Sequence, residues 1–226
     1  MAEAEKLTVK VNDADSVTAM LYPAAKKNRA GATIILGHGA GADQMSGFMR
    51  MVANGLAARG FDVMTFNFIY KERGRGAPDP KAKLEACYRA VIDAAIKQRK
   101  LKGNQLVIGG KSMGGRIASQ VAAEDSEGVD GLVFLGYPLH PPGRPDKMRD
   151  EHLPQIKGPM LFVQGARDAF GTEEEIRAII KQHKLKADLF VVAAGDHSFK
   201  VPKSIAPQPQ VHEDVMDEVA RWSRDL

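Results

Sequence analysis

The sequence contains a single cysteine, Cys87, and a single tryptophan in 226 residues. One cysteine excludes an intramolecular disulfide, and Cys87 falls on the apolar side of a predicted helix, where it reads as core. Aromatic residues are scarce, at 6%, and none interleaves with basic residues into a stripe that would stack on and neutralise a nucleic acid. The net charge of +4 is scattered and interleaved with acids along helical surfaces. Solvated faces are therefore expected, and no nucleic-acid partner. No apolar run approaches the roughly 20 residues that cross a bilayer, so no membrane partner is expected. The start, MAEAEKLTVKV, is acidic and lacks the apolar centre of a secretory signal. The expected location is the cytoplasm. No histidine pair stands at metal-ligand spacing beside a carboxylate, so no metal is expected. Internal repeats and low-complexity tracts are also missing.

What is present is an ordinary globular composition, with 44% hydrophobic and 27% charged residues. One domain over residues 1–226 is the natural reading. Leu7 to Val11 and Ser16 to Tyr22 alternate around Asn-Asp-Ala-Asp and predict an antiparallel hairpin. Buried strands follow at Ala32 to Leu36, Phe61 to Phe68, Leu106 to Gly109, Gly131 to Tyr137, Met160 to Gln164 and Ala187 to Ala193. Helices alternate with them. Phe48 to Arg59 carries Phe48, Met51, Val52 and Leu56 on one side, with Gly60 as its C-cap. Lys81 to Lys102 spaces Leu84, Cys87, Val91 and Ala95 by three and four. A helix starts after Ser112, and another runs from Thr172, its N-cap, to His183, with Glu175 three residues on. The last, Val211 to Leu226, lines up Val211, Val215, Val219 and Trp222. Ile69 to Pro80 reads as a Gly-, Pro- and charge-rich loop, and Pro138 to Pro159 as a Pro-rich connection. This alternation predicts an α/β fold, a mostly parallel sheet with an N-terminal antiparallel hairpin and helices on both faces. Ligands of such sheets bind beyond the carboxyl ends of the strands.

The chain is organised around QLVIGGKSMGGR, Gln105 to Arg116. A strand, then Gly-x-Ser-x-Gly, then a helix is the layout of a nucleophile elbow, with Ser112 at the sharp turn. Gly110 and Gly114 leave room for neighbouring backbone. A serine needs a base, and the base an orienting acid. Asp168 follows the MLFVQ strand and His197 follows LFVVAA. The order Ser112, Asp168, His197 is that of an α/β-hydrolase triad. Asp196 is a rival acid, but it abuts His197 and is expected to shape that turn. Two N–H donors must hold an oxyanion. Met113 supplies one, and the loop His38-Gly39-Ala40-Gly41 the other, with Ala40 chosen and Gly39 the alternative. His38 is expected to buttress that loop.

Two other motifs fail. Gly110-Lys111-Ser112 ends like a phosphate-binding loop, but Gln105 stands where that motif needs glycine. Gly37-x-Gly39-x-x-Ala42 matches a dinucleotide fingerprint, but Asn67 replaces the ribose-binding acid. No cofactor is expected. Tyr137, Leu139 and His140, beside the site, are expected to touch substrate. Arg73 and Arg75 lie on another strand-end loop that could meet an acidic substrate, although a solvated loop fits them better.

HGAGA, GKSMGG, QGARDAFG and GDHSF together resemble the α/β-hydrolase superfamily, in its small cap-less branch near dienelactone hydrolases and acyl-peptide-hydrolase-type catalytic domains. FNFIYKERGRGAPDP, GGKSMGGR, GLVFLGYPLHPPG and GDHSFK resemble bacterial relatives of a testis-expressed hydrolase-like protein and of a subunit of a nuclear histone-acetyltransferase complex. The resemblance spans roughly Ala32 to Lys203. It implies a Ser112, Asp168, His197 triad with an oxyanion hole at Met113 and Ala40. Ser112 stands where dienelactone hydrolases carry cysteine, so lactone hydrolysis does not carry over. The expected activity is hydrolysis of carboxylic esters or thioesters of small acyl substrates, without a separate lid domain. The competing expectation is a non-catalytic interaction module on a hydrolase scaffold, in line with relatives that serve in protein complexes.

Overall fold

Short apolar runs become strands and amphipathic segments become the helices that cover them. The computed structural model describes residues 3–226; Met1 and Ala2 of the acidic start lie outside the described residues. In chain order the elements are β1 (Glu5–Lys10), β2 (Ser16–Tyr22), β3 (Ala32–Gly37), α1 (Gly47–Ala58), β4 (Asp62–Phe66), α2 (Ile69–Glu72) and α3 (Lys81–Ile96). There follow β5 (Gln105–Lys111), α4 (Met113–Glu124), β6 (Gly131–Leu135), β7 (Met160–Gly165), α5 (Glu173–His183), β8 (Ala187–Val192) and α6 (Gln208–Arg224). Among the described residues the eight strands form one sheet, ordered β1-β2-β4-β3-β5-β6-β7-β8. β1 pairs antiparallel with β2, and β2 antiparallel with β4. Every later pairing is parallel.

The central strands are apolar on both sides because helices cover both faces. Successive residues of β3 divide between them. Ile35 belongs to the buried cluster that holds Leu84, Tyr88 and Val91 of α3 and Ile117 and Val121 of α4, while Ile34 and Leu36 belong to the one that holds the apolar residues of α1 and α6. The α6 stripe of Val211, Val215, Val219 and Trp222 is buried as its spacing predicts. The buried stripe of α1 is Met49, Val52, Ala53 and Leu56; Phe48 and Met51 are only partly covered. Thr172 closes a capping box with Glu175 at the start of α5.

Other boundaries differ from the sequence expectation. The Ile69 to Pro80 loop opens with the single turn α2, because Ile69 and Tyr70 are buried. The Lys81 to Lys102 helix stops at Ile96, where its apolar spacing ends, and Arg99–Leu101 forms a separate 3-10 turn that buries Leu101. β4 ends at Phe66, and Phe68 turns into the aromatic cluster of Phe66 and Tyr88.

The end of β3 lies on the start of α4, backbone against backbone. A Cβ built on Gly114 would fall 2.1 Å from Gly37 O, and one on Gly110 2.2 Å from the same oxygen. Gly110 also has φ +150, which side chains rarely adopt. Gly114→Ala must therefore force β3 and α4 apart. We expect it to lower folding stability by about 2 kcal/mol or more, read as the midpoint shift in urea unfolding.

Candidate active site

The loops after β3, β5, β7 and β8 gather at one edge of the sheet, where ligands of open α/β sheets bind. Ser112 sits between β5 and α4 with φ 51 and ψ −116. That conformation costs a non-glycine residue of the order of 1–3 kcal/mol. The frame enforces it. Ser112 N–H donates to Leu135 O at 3.1 Å. The Tyr88 hydroxyl lies 2.6 Å from Gly109 O and 3.0 Å from Ile35 O, beneath the turn.

The three side chains that sequence order links do meet. Ser112 Oγ is 2.8 Å from His197 Nε2, and His197 Nδ1 is 2.7 Å from Asp168 Oδ2. Asp168 is fully buried and its Oδ1 accepts from Phe170 N–H at 2.8 Å. Asp196 instead shapes the next turn, accepting from Ser198 N–H and Lys200 N–H. With Nδ1–H donated to the carboxylate, Nε2 of His197 is free to accept the serine proton. Such a chain can deprotonate the hydroxyl as it attacks a carbonyl and return the proton to a leaving group.

Ala40 and Met113 line the same cavity as Ser112, a cleft of about 310 Å³. Met113 opens α4, so its N–H has no acceptor within the helix and lies at the positive end of the dipole. Among the described residues the Ala40 N–H donates to no protein acceptor. His38 buttresses this loop as expected. It is fully buried, with Nδ1 2.8 Å from Gly39 O and Nε2 accepting from Phe68 N–H at 3.2 Å. Burial pushes its pKa down to about 4. The Tyr70 hydroxyl donates to Ala40 O at 2.8 Å and fixes the next peptide.

Three sequence-based expectations need correction. Tyr137, Leu139 and His140 are buried and do not line the cleft. The Tyr137 ring packs on Phe134 and Phe162, and its hydroxyl donates to Arg149 O at 2.9 Å. His140 has Nδ1 against Pro141 O and Nε2 against Glu175. Their neighbours Pro138 and Arg149 line the cleft instead. Arg73 and Arg75 pair with Asp15 and Asp79.

Three supporting residues escaped the sequence reading. Gln164, buried at the end of β7, donates from Nε2 to Asp168 Oδ2 (2.9 Å) and Gly171 O (2.7 Å) and accepts from Tyr137 N–H (2.8 Å). A polar residue ending an all-apolar strand was its signal. The Phe170 ring lies over His197, centroids 4.2 Å apart. Lys111 Nζ donates to His197 O at 2.5 Å. Burial pushes the Lys111 amine down to about 8, with Asp168 and Asp196 opposing the shift.

Gln164→Leu leaves buried partners on Tyr137, Asp168 and Gly171 unmatched; a stability loss of about 3 kcal/mol is expected in urea unfolding. His152 is half-buried beside Ser119, and its partial burial together with Arg116 and Lys81 pushes it down to about 4. His38 and His152 stay neutral in the fold while the unfolded chain protonates. Stability that is complete above the unfolded value of 6.5 is therefore lost as pH falls towards 4. At pH 5 this amounts to about 2 kcal/mol for His38 and to less for the half-buried His152, whose charge solvent screens. Urea unfolding of the double variant His38→Gln/His152→Gln should show a shallower loss between pH 7 and pH 5 than the wild type.

Comparison with known proteins agrees with this architecture. The chain superposes on an alpha-beta serine hydrolase homologue from Coxiella burnetii with TM-score 0.76 and 19% identity, covering 96% of each chain. A serine hydrolase without lid from Xanthomonas campestris gives TM-score 0.75 and 18% identity, over 98% of this chain and 96% of that one. A dienelactone hydrolase from Anabaena variabilis gives 0.74 and 20%, over 97% and 96%. At these identities the likeness is one of fold, and it extends to the absence of a lid domain. The family model described as an alpha/beta hydrolase domain matches residues 30–225, which hold β3 to β8 and every loop of the site, and the chain belongs to that family.

Proposed function

We propose that the protein is a serine hydrolase that cleaves carboxylic ester or thioester bonds of small acyl substrates through an acyl-enzyme. The observation that carries this reading is the continuous chain from Ser112 Oγ to His197 Nε2 (2.8 Å) and from His197 Nδ1 to Asp168 Oδ2 (2.7 Å). His197 takes the Ser112 proton as Oγ attacks the acyl carbonyl. Asp168 holds the ring in the required tautomer and stabilises its charged form. The Met113 and Ala40 N–H groups receive the negative oxygen. His197 then protonates the leaving alcohol or thiol, and a water deprotonated by the same imidazole releases the acid.

Small substrates fit the space available. The cleft at Ser112 is about 310 Å³, and a second, apolar cavity of about 430 Å³ is lined by Gly39 and Lys111, the chain neighbours of Ala40 and Ser112, and by Phe48, Met49 and Met51. Neighbours in fold include Est1E from Butyrivibrio proteoclasticus, one of whose structures holds ferulic acid, and an esterase from Pyrococcus furiosus. Both support an ester-cleaving reading for this site.

A fluorophosphonate probe should label the wild type and neither Ser112→Ala nor His197→Ala. p-Nitrophenyl acetate and butyrate should be hydrolysed by the same wild-type sample, with at least a thousand-fold loss in each variant, the scale on which triad members act. Folded wild-type protein that takes no label would overturn the reading.

A further inference from the structure

The cleft beside Ser112 carries more positive charge than the protein neutralises. Its wall includes Arg116, four residues after the nucleophile on α4, and Arg149 from the connection between β6 and β7. Arg116 forms no ion pair or side-chain hydrogen bond among the described residues, and its buried Nε lacks any partner. Arg149 makes only a long bond from Nη1 to Pro138 O, at 3.3 Å. Among the described residues the one carboxylate lining the cleft is Asp79; its Oδ1 pairs with Arg75 at 2.5 Å, and its buried Oδ2 has no partner, so neither cleft arginine bonds to it. Lys81, at the mouth, pairs with Glu85 at 3.4 Å, and the nearby Asp150 is bonded to His183 at 2.8 Å. Neither guanidinium therefore has an acid of its own. Burial and the proximity of Arg116 both lower the pKa of Arg149.

Two half-buried guanidinium groups without counter-charge repel one another, and a cleft keeps such an arrangement at a cost that a bound anion removes. Their planar N–H forks match carboxylate and phosphate oxygens. We propose that Arg116 and Arg149 form an anion subsite beside Ser112, so that the substrate is an ester or thioester bearing a carboxylate or phosphate on one of its halves. This rests on the serine-hydrolase reading and names the substrate class for it. The bound anion sets the register of the scissile carbonyl against Ser112. The apolar cavity lined by Gly39 and Lys111 takes the uncharged part.

The test compares kcat/KM for p-nitrophenyl butyrate, mono-p-nitrophenyl glutarate and 4-butyryloxybenzoate, which place no anion, an anion in the acyl half and an anion in the leaving half. The wild type should favour one charged ester over the neutral one by tenfold or more. That ratio should fall at least tenfold in Arg116→Gln and in Arg149→Gln and stay in place in Arg144→Gln, an exposed arginine on the same connection. Inhibition of butyrate-ester hydrolysis by glutarate against inorganic phosphate separates the two kinds of anion. A ratio that is the same in the wild type and both cleft variants would overturn the proposal. Should no ester be hydrolysed, the serine-hydrolase reading is what fails. Calorimetric binding of mono-p-nitrophenyl glutarate to Ser112→Ala then decides the subsite by itself. Binding that is lost in Ser112→Ala/Arg116→Gln supports it, and no binding overturns it.

Discussion

Gly37, at the end of β3, lies against Gly110 and Gly114 so closely that a single methyl on either would strike its carbonyl oxygen. This contact of bare backbone brings two loops together that the sequence separates widely. One leads through His38 to Ala40; the other turns through Ser112 into α4. The Tyr88 hydroxyl sits under the same joint, against Ile35 O and Gly109 O. Because the peptides themselves touch, there is no soft side chain to absorb movement. The positive φ of Ser112 is held by that rigidity, and strain kept in place by packing is a recurrent property of reactive turns.

From this joint the site extends along the sheet edge by hydrogen bonds. Gln164 ties the Asp168 carboxylate to the backbone of Tyr137 and Gly171, so the acid that faces His197 is anchored on two loops. Lys111 holds the His197 carbonyl, and the Phe170 ring covers the imidazole. His38, neutral through burial, fixes the loop of Ala40. Each group that would act on a substrate is thus positioned by one that would not.

The sequence made the framework readable because parallel strands buried on both faces leave unbroken apolar runs, and because glycine punctuates each strand end. Ser112, Asp168 and His197 could be found at those ends by type and order alone. The supporting residues were harder to find. Gln164 stands out only as a polar residue at the end of an apolar strand, and Lys111 acts on His197, 86 residues further on, which no local pattern encodes. Tyr137 and Leu139 show the converse. They follow a strand, as site residues do, yet the chain after β6 turns back into the core, and large apolar side chains take the buried option. Arg116 carries no local signal in the sequence; its missing ion pair, visible only in three dimensions, marks it out.

On the proposed mechanism Ser112 acquires an acyl group during turnover. Rapid mixing with p-nitrophenyl acetate, followed by acid quench and peptide mass mapping, should give a burst of p-nitrophenol close to one equivalent per chain and an acetyl adduct on the peptide carrying Ser112. Turnover with the adduct on another residue, or with Ser112 replaced by alanine and the burst intact, would contradict that mechanism.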